Sequence, residues 1–404
     1  MLTCSIVYTY IQKMNSKYIS TVAIGMLSIA VFCNKLQAQE VQTGTQTNGS
    51  RANNISTAVP FLLITPDARA GAMGEAGVAV QPDANAMSMN PSKLAFLDMP
   101  YGFSASYSPW LKSLVPDVNL AYVSAFFKAG DRTALGASLR YFSLGEIQYT
   151  DENQQDMGIY NPNEYAFDFS FARRFGQDFS LGTTARYIYS NFASGQFALG
   201  QEVKPGQAFA LDVSAYYKKP TVMFGKDAIL SAGLNMSNIG TKMGYSTNGQ
   251  EYFLPTNLKL GGASTIIIDD YNQFTFALDF NKLMVPTDPI RDNTGKIISG
   301  KDPDRSVLSG MFGSFADAPG GFSEEVKEIS IAAGAEYWYN QQFAVRAGYF
   351  YDSPEKGNRR YFTLGAGLKY NVFNIDLAYL IANPQKSPLA NTLRFSLLFN
   401  FGNK

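Results

Sequence analysis

The fold class is decided by the segment Thr392-Leu393-Arg394-Phe395-Ser396-Leu397-Leu398-Phe399-Asn400-Phe401, close to the end of the chain. Its odd-numbered positions are all apolar, and its even-numbered positions are mostly polar or small. Because side chains alternate between the two faces of a strand, one face is continuously apolar and the other could line a wetter interior. A strand of an outer-membrane β-barrel and an amphipathic edge strand of a soluble sheet both show this pattern. Repetition along the chain must therefore decide between them.

The same alternation recurs along most of the chain. It is found in Tyr165–Phe175, Phe179–Tyr189, Phe209–Tyr217, Phe274–Phe280, Phe343–Tyr351 and Phe373–Ile381. Strands are predicted to start near Gly102, Asp117, Arg132, Asn163, Asp178, Pro205, Lys226, Leu254, Tyr271, Val326, Gln341, Arg360, Phe373 and Asn391. Bacterial single-chain barrels have an even number of strands. We therefore predict an all-β fold, a fourteen-stranded antiparallel transmembrane β-barrel.

The composition agrees with a barrel. The chain of 404 residues has 30 Phe and 24 Tyr but only 2 Trp, and 16% of its residues are charged. Its mean hydropathy is −0.10, too polar for a helical membrane protein of this length. A barrel keeps its average hydropathy near zero because apolar and polar residues alternate along each strand. We therefore predict that the protein lies in the lipid bilayer.

Several function classes are excluded by residue types that are absent. The chain has no histidine, and both of its cysteines, Cys4 and Cys33, lie in a segment predicted to be removed. Ser-His-Asp and Cys-His catalysis and the common zinc sites need these residues, so we predict no enzyme and no cofactor. The carboxylate pairs Glu324-Glu325 and Asp269-Asp270 are possible acid/base groups, but their loop positions favour solvated charge. A formal net charge of zero argues against nucleic acid as a partner.

The chain divides into four predicted regions. Residues 1–38 have the basic, apolar and small-residue order of a secretory signal peptide, with Met14 as an alternative start and cleavage after Ala38. Residues 39–57 are rich in Gln, Thr, Asn, Ser and Gly and read as a flexible periplasmic tail. Residues 58–100 form a compact N-terminal plug segment. Residues 101–404 form the barrel, which includes one long extracellular loop, 283–325.

Loop lengths predict the orientation in the membrane. Connections after even-numbered strands are tight, such as Lys128 to Arg132 and Gly176 to Asp178. Connections after odd-numbered strands are longer, such as Leu144 to Pro162 and Leu283 to Glu325. In bacterial barrels the short turns face the periplasm and the long loops face outside. The sequence therefore predicts an outer-membrane protein with both termini in the periplasm.

The plug segment carries a family resemblance. Residues 69–79 read Arg-Ala-Gly-Ala-Met-Gly-Glu-Ala-Gly-Val-Ala, and residues 86–94 read Ala-Met-Ser-Met-Asn-Pro-Ser-Lys-Leu. Together they resemble the N-terminal plug of the FadL family of fourteen-stranded barrels, which usually has Asn-Pro-Ala where this chain has Asn90-Pro91-Ser92. The plug motif consists of Gly71, Gly74, Gly77, Asn90 and Pro91. Its glycines are expected to pack closely against the wall, and its proline to hold a turn.

A second resemblance lies within this family. Residues 58–71, Ala-Val-Pro-Phe-Leu-Leu-Ile-Thr-Pro-Asp-Ala-Arg-Ala-Gly, are similar to the plug entrance of the outer-membrane shuttle proteins of the type IX secretion system. The resemblance implies a non-enzymatic role in protein export. It implies association with a SprA-like translocon barrel, binding of cargo that carries a C-terminal signal domain, and delivery to a PorU-like sortase for attachment. The alternative is a FadL-type channel for hydrophobic small molecules.

The long loop is the candidate partner-binding element. It mixes charges with the apolar residues Ile298, Met311, Phe312, Phe315 and Phe322. Long loops without evident secondary structure are often functional, and exposed apolar groups indicate a partner. The alternative interpretation is that the loop folds over the barrel mouth as a lid.

Overall fold

A closed antiparallel barrel of fourteen strands forms the body of the protein. The computed structural model describes residues 53–111, 117–150, 156–192, 197–198, 201–246, 249–292, 294–382 and 389–402. The predicted signal peptide and residues 39–52 of the predicted tail lie outside the described residues. The predicted fold class is confirmed.

The secondary structure begins with short helices and continues with strands. The segment before the barrel contains helix α1 (Ala68–Ala72) and three short 3₁₀ helices, Pro60–Leu63, Ala86–Ser88 and Pro91–Phe96. In chain order the strands are β1 (Tyr101–Pro109), β2 (Asn119–Lys128), β3 (Thr133–Ser143), β4 (Ile147–Thr150), β5 (Asp156–Tyr160), β6 (Asn163–Phe175), β7 (Phe179–Asn191), β8 (Phe197–Ala198), β9 (Gln201–Glu202), β10 (Gly206–Met223), β11 (Lys226–Gly240), β12 (Met243–Gly244), β13 (Glu251–Tyr252), β14 (Asn257–Ile267), β15 (Asn272–Leu283), β16 (Ile290–Arg291), β17 (Ile297–Ser299), β18 (Ile329–Tyr339), β19 (Phe343–Tyr351), β20 (Arg360–Tyr370), β21 (Phe373–Ile381) and β22 (Leu393–Phe401).

The barrel strands follow one another in chain order. Their order around the barrel is β1-β2-β3-β6-β7-β10-β11-β14-β15-β18-β19-β20-β21-β22, and β22 pairs with β1 to close it. Each predicted strand start lies within three residues of an observed one, and the largest differences are Leu254 against Asn257 and Val326 against Ile329. The remaining strands form the small hairpins β4–β5, β8–β9, β12–β13 and β16–β17 in the longer connections.

The long connection between β15 and β18 has secondary structure of its own. Besides the hairpin β16–β17 it contains helices α2 (Val307–Gly313) and α3 (Phe322–Lys327). Among the described residues, no helix is long and apolar enough to cross a membrane. We call the end of the barrel with the long loops the mouth, and the end with the short turns the inner end.

The two faces of each strand differ as the alternation predicts. In β6, Phe167 and Phe169 are about half exposed on the outer surface, whereas Asp168 and Ser170 are buried on the inner face. Apolar outward residues suit a lipid environment. The inner face carries many small and polar residues, which leaves room for the plug.

Aromatic side chains gather on the outer surface near the inner end. The Phe103 ring stacks on Phe399 with 4.4 Å between centroids, and Tyr217 lies opposite Phe179 across β7 and β10. Such rings form the girdles that mark membrane interfaces of barrels. This ring of aromatics therefore marks the depth of the inner lipid boundary.

The plug runs through the lumen from the mouth to the inner end. Near its start, the Ala58 amide donates to the carbonyl of Phe253 in a mouth loop at 2.9 Å. At its end, the carbonyl of Pro100 accepts from the Lys128 amide at the inner end at 2.8 Å. Apolar plug residues and inward wall residues form the buried core between these points, including Phe61, Met73, Val78, Leu94, Leu120, Ile188 and Leu398.

The described ends of the chain lie at opposite ends of the barrel. The Asn53 amide donates to the carbonyl of Glu355 in a mouth loop at 2.9 Å, whereas Phe401 pairs with Tyr101 at the inner end. Residues 1–52 lie outside the described part of the chain, so the periplasmic location of both termini stays a prediction. The plug threads the lumen once before β1 begins, and loop lengths within the barrel carry no information about that path.

We expect Phe169→Arg to reduce the amount of assembled barrel strongly. Phe169 is the central residue of the thirteen-residue strand β6 and faces outward. A cation at the bilayer midplane of a barrel costs about 2–4 kcal/mol. The matched control is Phe312→Arg, which changes an exposed phenylalanine in a mouth loop. Heat-modifiable migration of membrane fractions on gels measures assembly, and equal losses for the two variants would contradict the assignment of the lipid face.

Candidate functional site

The plug and the barrel wall approach each other backbone to backbone. A Cβ on Gly74 would lie 2.5 Å from the amide nitrogen of Tyr349, and Gly74 has a φ of +66° that favours glycine. The wall provides the complementary space, because a Cβ on Gly348 would lie 2.0 Å from the Gly74 nitrogen. A Cβ on Gly334 would likewise lie 2.5 Å from the carbonyl oxygen of Met73. Glycines on both surfaces therefore set how closely the plug can pack.

The other two glycines of the plug motif lie beside charged wall residues. A Cβ on Gly71 would lie 2.4 Å from the guanidinium of Arg394, which pairs with Glu75 at 2.7 Å. The Gly77 amide donates to the Asp279 carboxylate at 2.7 Å. Gly71 thus leaves room for Arg394, whereas Gly77 packs within the plug, where a Cβ would lie 2.9 Å from the Met89 side chain, and binds Asp279 through its backbone amide.

Asn90 and Pro91 fix the second half of the plug. The Asn90 side-chain amide donates to the carbonyls of Val78 and Ala215, both at 3.0 Å, while its oxygen accepts from the Ser92 amide at 3.1 Å. Pro91 is the first residue of the 3₁₀ helix that follows, a position where a missing amide hydrogen costs nothing. Asn90 therefore connects two plug segments to strand β10.

Buried ion pairs hold the first half of the plug. Arg69 pairs with Glu336 of the wall at 2.7 Å and with Asp83 of the plug at 3.0 Å. Glu336 also pairs with Arg346 at 2.6 Å. Removing one partner of such a buried network leaves an uncompensated charge, which is strongly destabilising. These pairs therefore favour one register between plug and wall.

Polar wall residues inside the lumen form buried ion pairs with one another. Arg186 of β7 pairs with Asp168 at 2.7 Å and with Asp212 at 3.1 Å, and all three side chains are buried. These pairs neutralise charges on the inner face of the wall.

The structure separates the candidate loop residues into two groups. Phe322 is 84% exposed and Phe312 is 64% exposed, and Ile298 and Phe315 are also exposed. Met311 is only 3% exposed, so the prediction that it is available to a partner does not match its position. It follows Gly310, where a Cβ would lie 2.7 Å from the Phe253 ring in a neighbouring mouth loop. The buried side of α2 thus anchors the loop, and its other side faces outward.

A cluster of buried charges anchors the far end of the loop. Lys282 of β15 binds Glu325 at 3.1 Å and Glu328 at 2.5 Å. Lys356 of the next mouth loop binds Glu328 at 2.9 Å and Glu324 at 2.6 Å. We call these five residues the mouth cluster. The expectation of solvated charge for Glu324-Glu325 is wrong for Glu325, which is buried because it closes this cluster.

The local electrostatics favour the ionised form of Glu325. Burial tends to raise the pKa of Glu325, but the Ala318 amide and the Lys282 ammonium outweigh it and hold the pKa below its usual range. Burial does raise the pKa of the nearby Asp317, although the Thr287 amide and Arg305 oppose it. No group of His, Cys, Asp and Glu within the described residues has an arrangement that could hold a metal ion.

A cavity of about 280 Å³ lies between the plug and the wall near the mouth. Its apolar lining includes Leu63, Ile64 and Trp110. Its charged lining includes Lys259 and Arg359. Apolar and charged side chains therefore line the same cavity.

Comparison with known families identifies the family of the chain. A family model described as type IX secretion system protein PorV matches residues 46–290, which is more than half of the chain. The chain belongs to the PorV family. No curated protein matches the sequence.

Several solved structures are similar to this chain. The toluene transporter TbuX of Ralstonia pickettii has 13% identity and a TM-score of 0.47, covering 84% of this chain and 98% of its own. The toluene transporter TodX of P. putida has 11% identity and a TM-score of 0.47, covering 83% and 98%. A Pseudomonas aeruginosa FadL homologue has 11% identity and a TM-score of 0.42, covering 84% and 99%. These similarities are too low to bear on what this member of the PorV family binds.

Sequence reasoning missed two parts of the site. Leu308, which is exposed, lies four residues before Phe312, so both share one face of α2. The spacing of four residues between Leu308 and Phe312 is visible in the sequence, but the short helix was not predicted. Lys282 and Lys356 of the mouth cluster are separated from each other by more than seventy residues in the sequence, and no local pattern connects them.

We expect Gly74→Ala to destabilise the barrel more than Gly176→Ala. Both glycines have a φ near +70°, but a Cβ at Gly176 meets nothing within 4 Å. The left-handed backbone costs a non-glycine residue about 1–2 kcal/mol in both variants, and overpacking adds about 1–3 kcal/mol at Gly74 alone. Urea unfolding of the purified barrel measures the difference. Equal midpoints would show that the plug does not pack as closely as described.

We expect Glu328→Gln to release the long loop. Its carboxylate is fully buried between Lys282 and Lys356, so the change leaves two cations without their shared partner. The control is Asp304→Asn in the same loop, because the Lys242–Asp304 pair is exposed on the Asp304 side and exposed pairs contribute little. Limited proteolysis between residues 284 and 328 should accelerate in the first variant only. Unchanged digestion of Glu328→Gln would contradict the anchoring role.

Proposed function

We propose that this protein is an outer-membrane component of type IX secretion that binds cargo carrying C-terminal signal domains at the barrel mouth. In this proposal it associates with a SprA-like translocon barrel and delivers cargo to a PorU-like sortase. The mouth faces the cell exterior and the inner end faces the periplasm. The protein acts by binding and is not an enzyme.

One observation carries the proposal: the long loop is held firmly, yet it exposes aromatic side chains. Phe312 and Phe322 are mostly exposed, while Met311 and the mouth cluster hold the same loop against the barrel. Exposed apolar groups on a fixed surface are typical of binding sites, and aromatic residues often carry most of the binding energy. A fixed loop also loses little conformational entropy when a partner binds.

The lid interpretation describes the buried side of the same loop. Gly310 and Met311 pack against the mouth, as a lid would. A lid alone gives no reason for Leu308 and Phe312 to face outward from the opposite side of α2. The loop therefore covers the mouth with one side and offers the other to a partner.

The alternative function, uptake of hydrophobic small molecules, is favoured by the cavity near the mouth. Its apolar side chains, such as Trp110 and Leu63, suit such a ligand. Lys259 and Arg359 in the same lining would suit the carboxylate of a fatty acid but not a wholly apolar molecule such as toluene, because burying charges against an apolar molecule costs free energy. Cargo binding is the better supported of the two functions because the chain belongs to a type IX secretion family and its long loop exposes aromatic side chains.

The test replaces exposed aromatics without disturbing the anchors. We expect Phe312→Ser combined with Phe322→Ser to leave barrel abundance normal, because both side chains are exposed. The same variant should lose most surface-anchored cargo and co-purify less translocon. The control is Ile159→Ser, which removes a 66%-exposed apolar residue from another mouth loop. Membrane fractionation and counting of surface-anchored cargo give the two readings.

Two outcomes decide against the proposal. Wild-type cargo levels in the double variant would show that the exposed face of the long loop is not the binding surface. Normal cargo combined with lost uptake of fatty acids or toluene in a deletion strain would favour the channel function instead.

A further inference from the structure

The outward face of the barrel sinks into a hollow across strands β10, β11, β14 and β15. Its floor is formed by Ala232 and Gly262, which lie side by side on β11 and β14. Tyr217 flanks Ala232 on β10, and Leu278 flanks Gly262 on β15. A Cβ on Gly262 would meet only one atom within 4 Å, a carbonyl oxygen 3.8 Å away, so the floor is open. We call this depression the wall hollow.

The wall hollow is apolar and about as long as one lipid leaflet is thick. Toward the mouth it extends to Leu234 and Leu260, and toward the inner end it extends to Leu230 and Ser264. From Leu260 to Ser264 the strand rises about 13 Å, at about 3.3 Å per residue. The hydrocarbon of one leaflet is about 15 Å thick. The acyl chain of one lipid therefore fits the hollow.

The turn between β10 and β11 folds toward the inner end of the wall hollow. The Ser264 hydroxyl donates a hydrogen bond to the Met223 sulfur at 3.3 Å, although Met223 belongs to β10 and Ser264 to β14, two strands away. Ala228 is buried even though it belongs to the outward row of β11. The end of this hairpin therefore packs against the outer wall beside the hollow.

Two lysines of the hairpin share its outward face. Lys219 lies two residues beyond Tyr217 on β10, so it points to the same side, and it is paired with Leu230 of β11. Lys226 is paired with Met223, whose side chain reaches the hollow. Both lysines are exposed, and in the described part of the chain neither forms a salt bridge. Two ammonium groups therefore lie at the inner end of an apolar hollow.

The depth of these lysines matches the lipid head groups. Tyr217 belongs to the aromatic ring that marks the inner lipid boundary. Lys219 follows two residues later, about 7 Å farther along the strand. The head-group layer is about 5–8 Å thick on each side of the bilayer. Lys219 therefore lies where lipid phosphates lie, and the hollow lies next to it on the hydrocarbon side.

Acidic groups also lie near the two lysines. Asp227 is paired with Val222 on the other face of the hairpin. The Asp269 carboxylate, which lies near Lys226, accepts hydrogen bonds from backbone amides of its own turn. Asp270 follows in the same turn. The surface thus provides cations for a phosphate and an acidic group for a head-group amine, so it does not select for net negative charge.

We propose that the wall hollow, with Lys219 and Lys226, is a binding site for one phospholipid of the leaflet at the inner end. One acyl chain lies over Ala232 and Gly262, and the phosphate lies between the two ammonium groups. Cations beside a membrane surface attract lipid phosphates, and the order of charge and apolar surface along the wall is that of a phospholipid. The site is outside the barrel, separate from the lumen and from the proposed cargo surface, and it does not depend on the proposed function.

Native mass spectrometry of the purified full-length barrel in detergent tests the proposal. The probes are phosphatidylethanolamine, phosphatidylglycerol and diacylglycerol with identical acyl chains. We expect one molecule of either phospholipid to be retained with similar affinity. Diacylglycerol, which lacks the phosphate, should bind about 25-fold more weakly, because each lysine at a lipid phosphate contributes about fivefold in affinity. Equal binding of diacylglycerol, or phospholipid uptake that does not saturate at one molecule, would overturn the proposal.

Substituting the lysines tests the phosphate contact. Lys219→Gln combined with Lys226→Gln should weaken phospholipid binding by about 25-fold and leave diacylglycerol binding unchanged. The control, Lys296→Gln combined with Lys301→Gln, removes the same charge from the mouth and should bind as the wild type does. Because all four side chains are exposed, each variant should assemble normally. Equal effects of the two pairs would show that the inner lysines do not hold the phosphate.

Filling the hollow tests the acyl-chain contact. Gly262→Leu places a side chain over the floor and should abolish retention of the phospholipid. Ala347→Leu adds a leucine to the outward face of β19 and serves as the control. Heat-modifiable migration shows that both barrels are assembled before binding is measured. Retention that survives Gly262→Leu would contradict the proposal, and so would a dimer of the wild-type barrel that Gly262→Leu dissociates, because a second copy would then occupy the hollow.

Discussion

The rest of the structure depends on the close approach of the plug backbone to the barrel wall. Gly74 meets Gly348 at a separation that leaves no room for a Cβ on either residue. Once the backbones lie this close, polar groups of the plug face polar groups of the wall. Gly77 can then donate to Asp279, and Arg69 can reach Glu336. The glycines set the distance between the plug and the wall. The buried ion pairs make any other register of the plug against the wall unfavourable, because it would leave buried charges without partners.

The plug packs against the inner wall of the barrel, and the surface proposed for cargo lies outside the lumen, at the mouth. At the mouth, the mouth cluster holds a loop that buries Met311 and exposes Phe312. The loop thus combines a fixed backbone with an exposed aromatic side chain.

The sequence predicts the barrel well and the contacts between distant segments poorly. Alternation along β6 and β22 identifies them as strands, because apolar and polar residues show which positions face outward and which face inward. The glycines of the plug motif were also found, since their spacing is local. The pairing of Arg69 with Glu336 spans more than 260 residues, and the path of the plug through the lumen is equally non-local. Burial of Met311 depends on a helix too short to predict from its few residues.

The threading of the chain through its own barrel is tested most directly by labelling from outside the cell. Asn54 is exposed at the mouth and Gly402 is exposed at the inner end, so each can be changed to cysteine in turn. A membrane-impermeant maleimide should label Asn54→Cys in intact cells, while Gly402→Cys should react only after the outer membrane is permeabilised. Labelling of Gly402→Cys with protection of Asn54→Cys, or the same accessibility for both, would contradict the account.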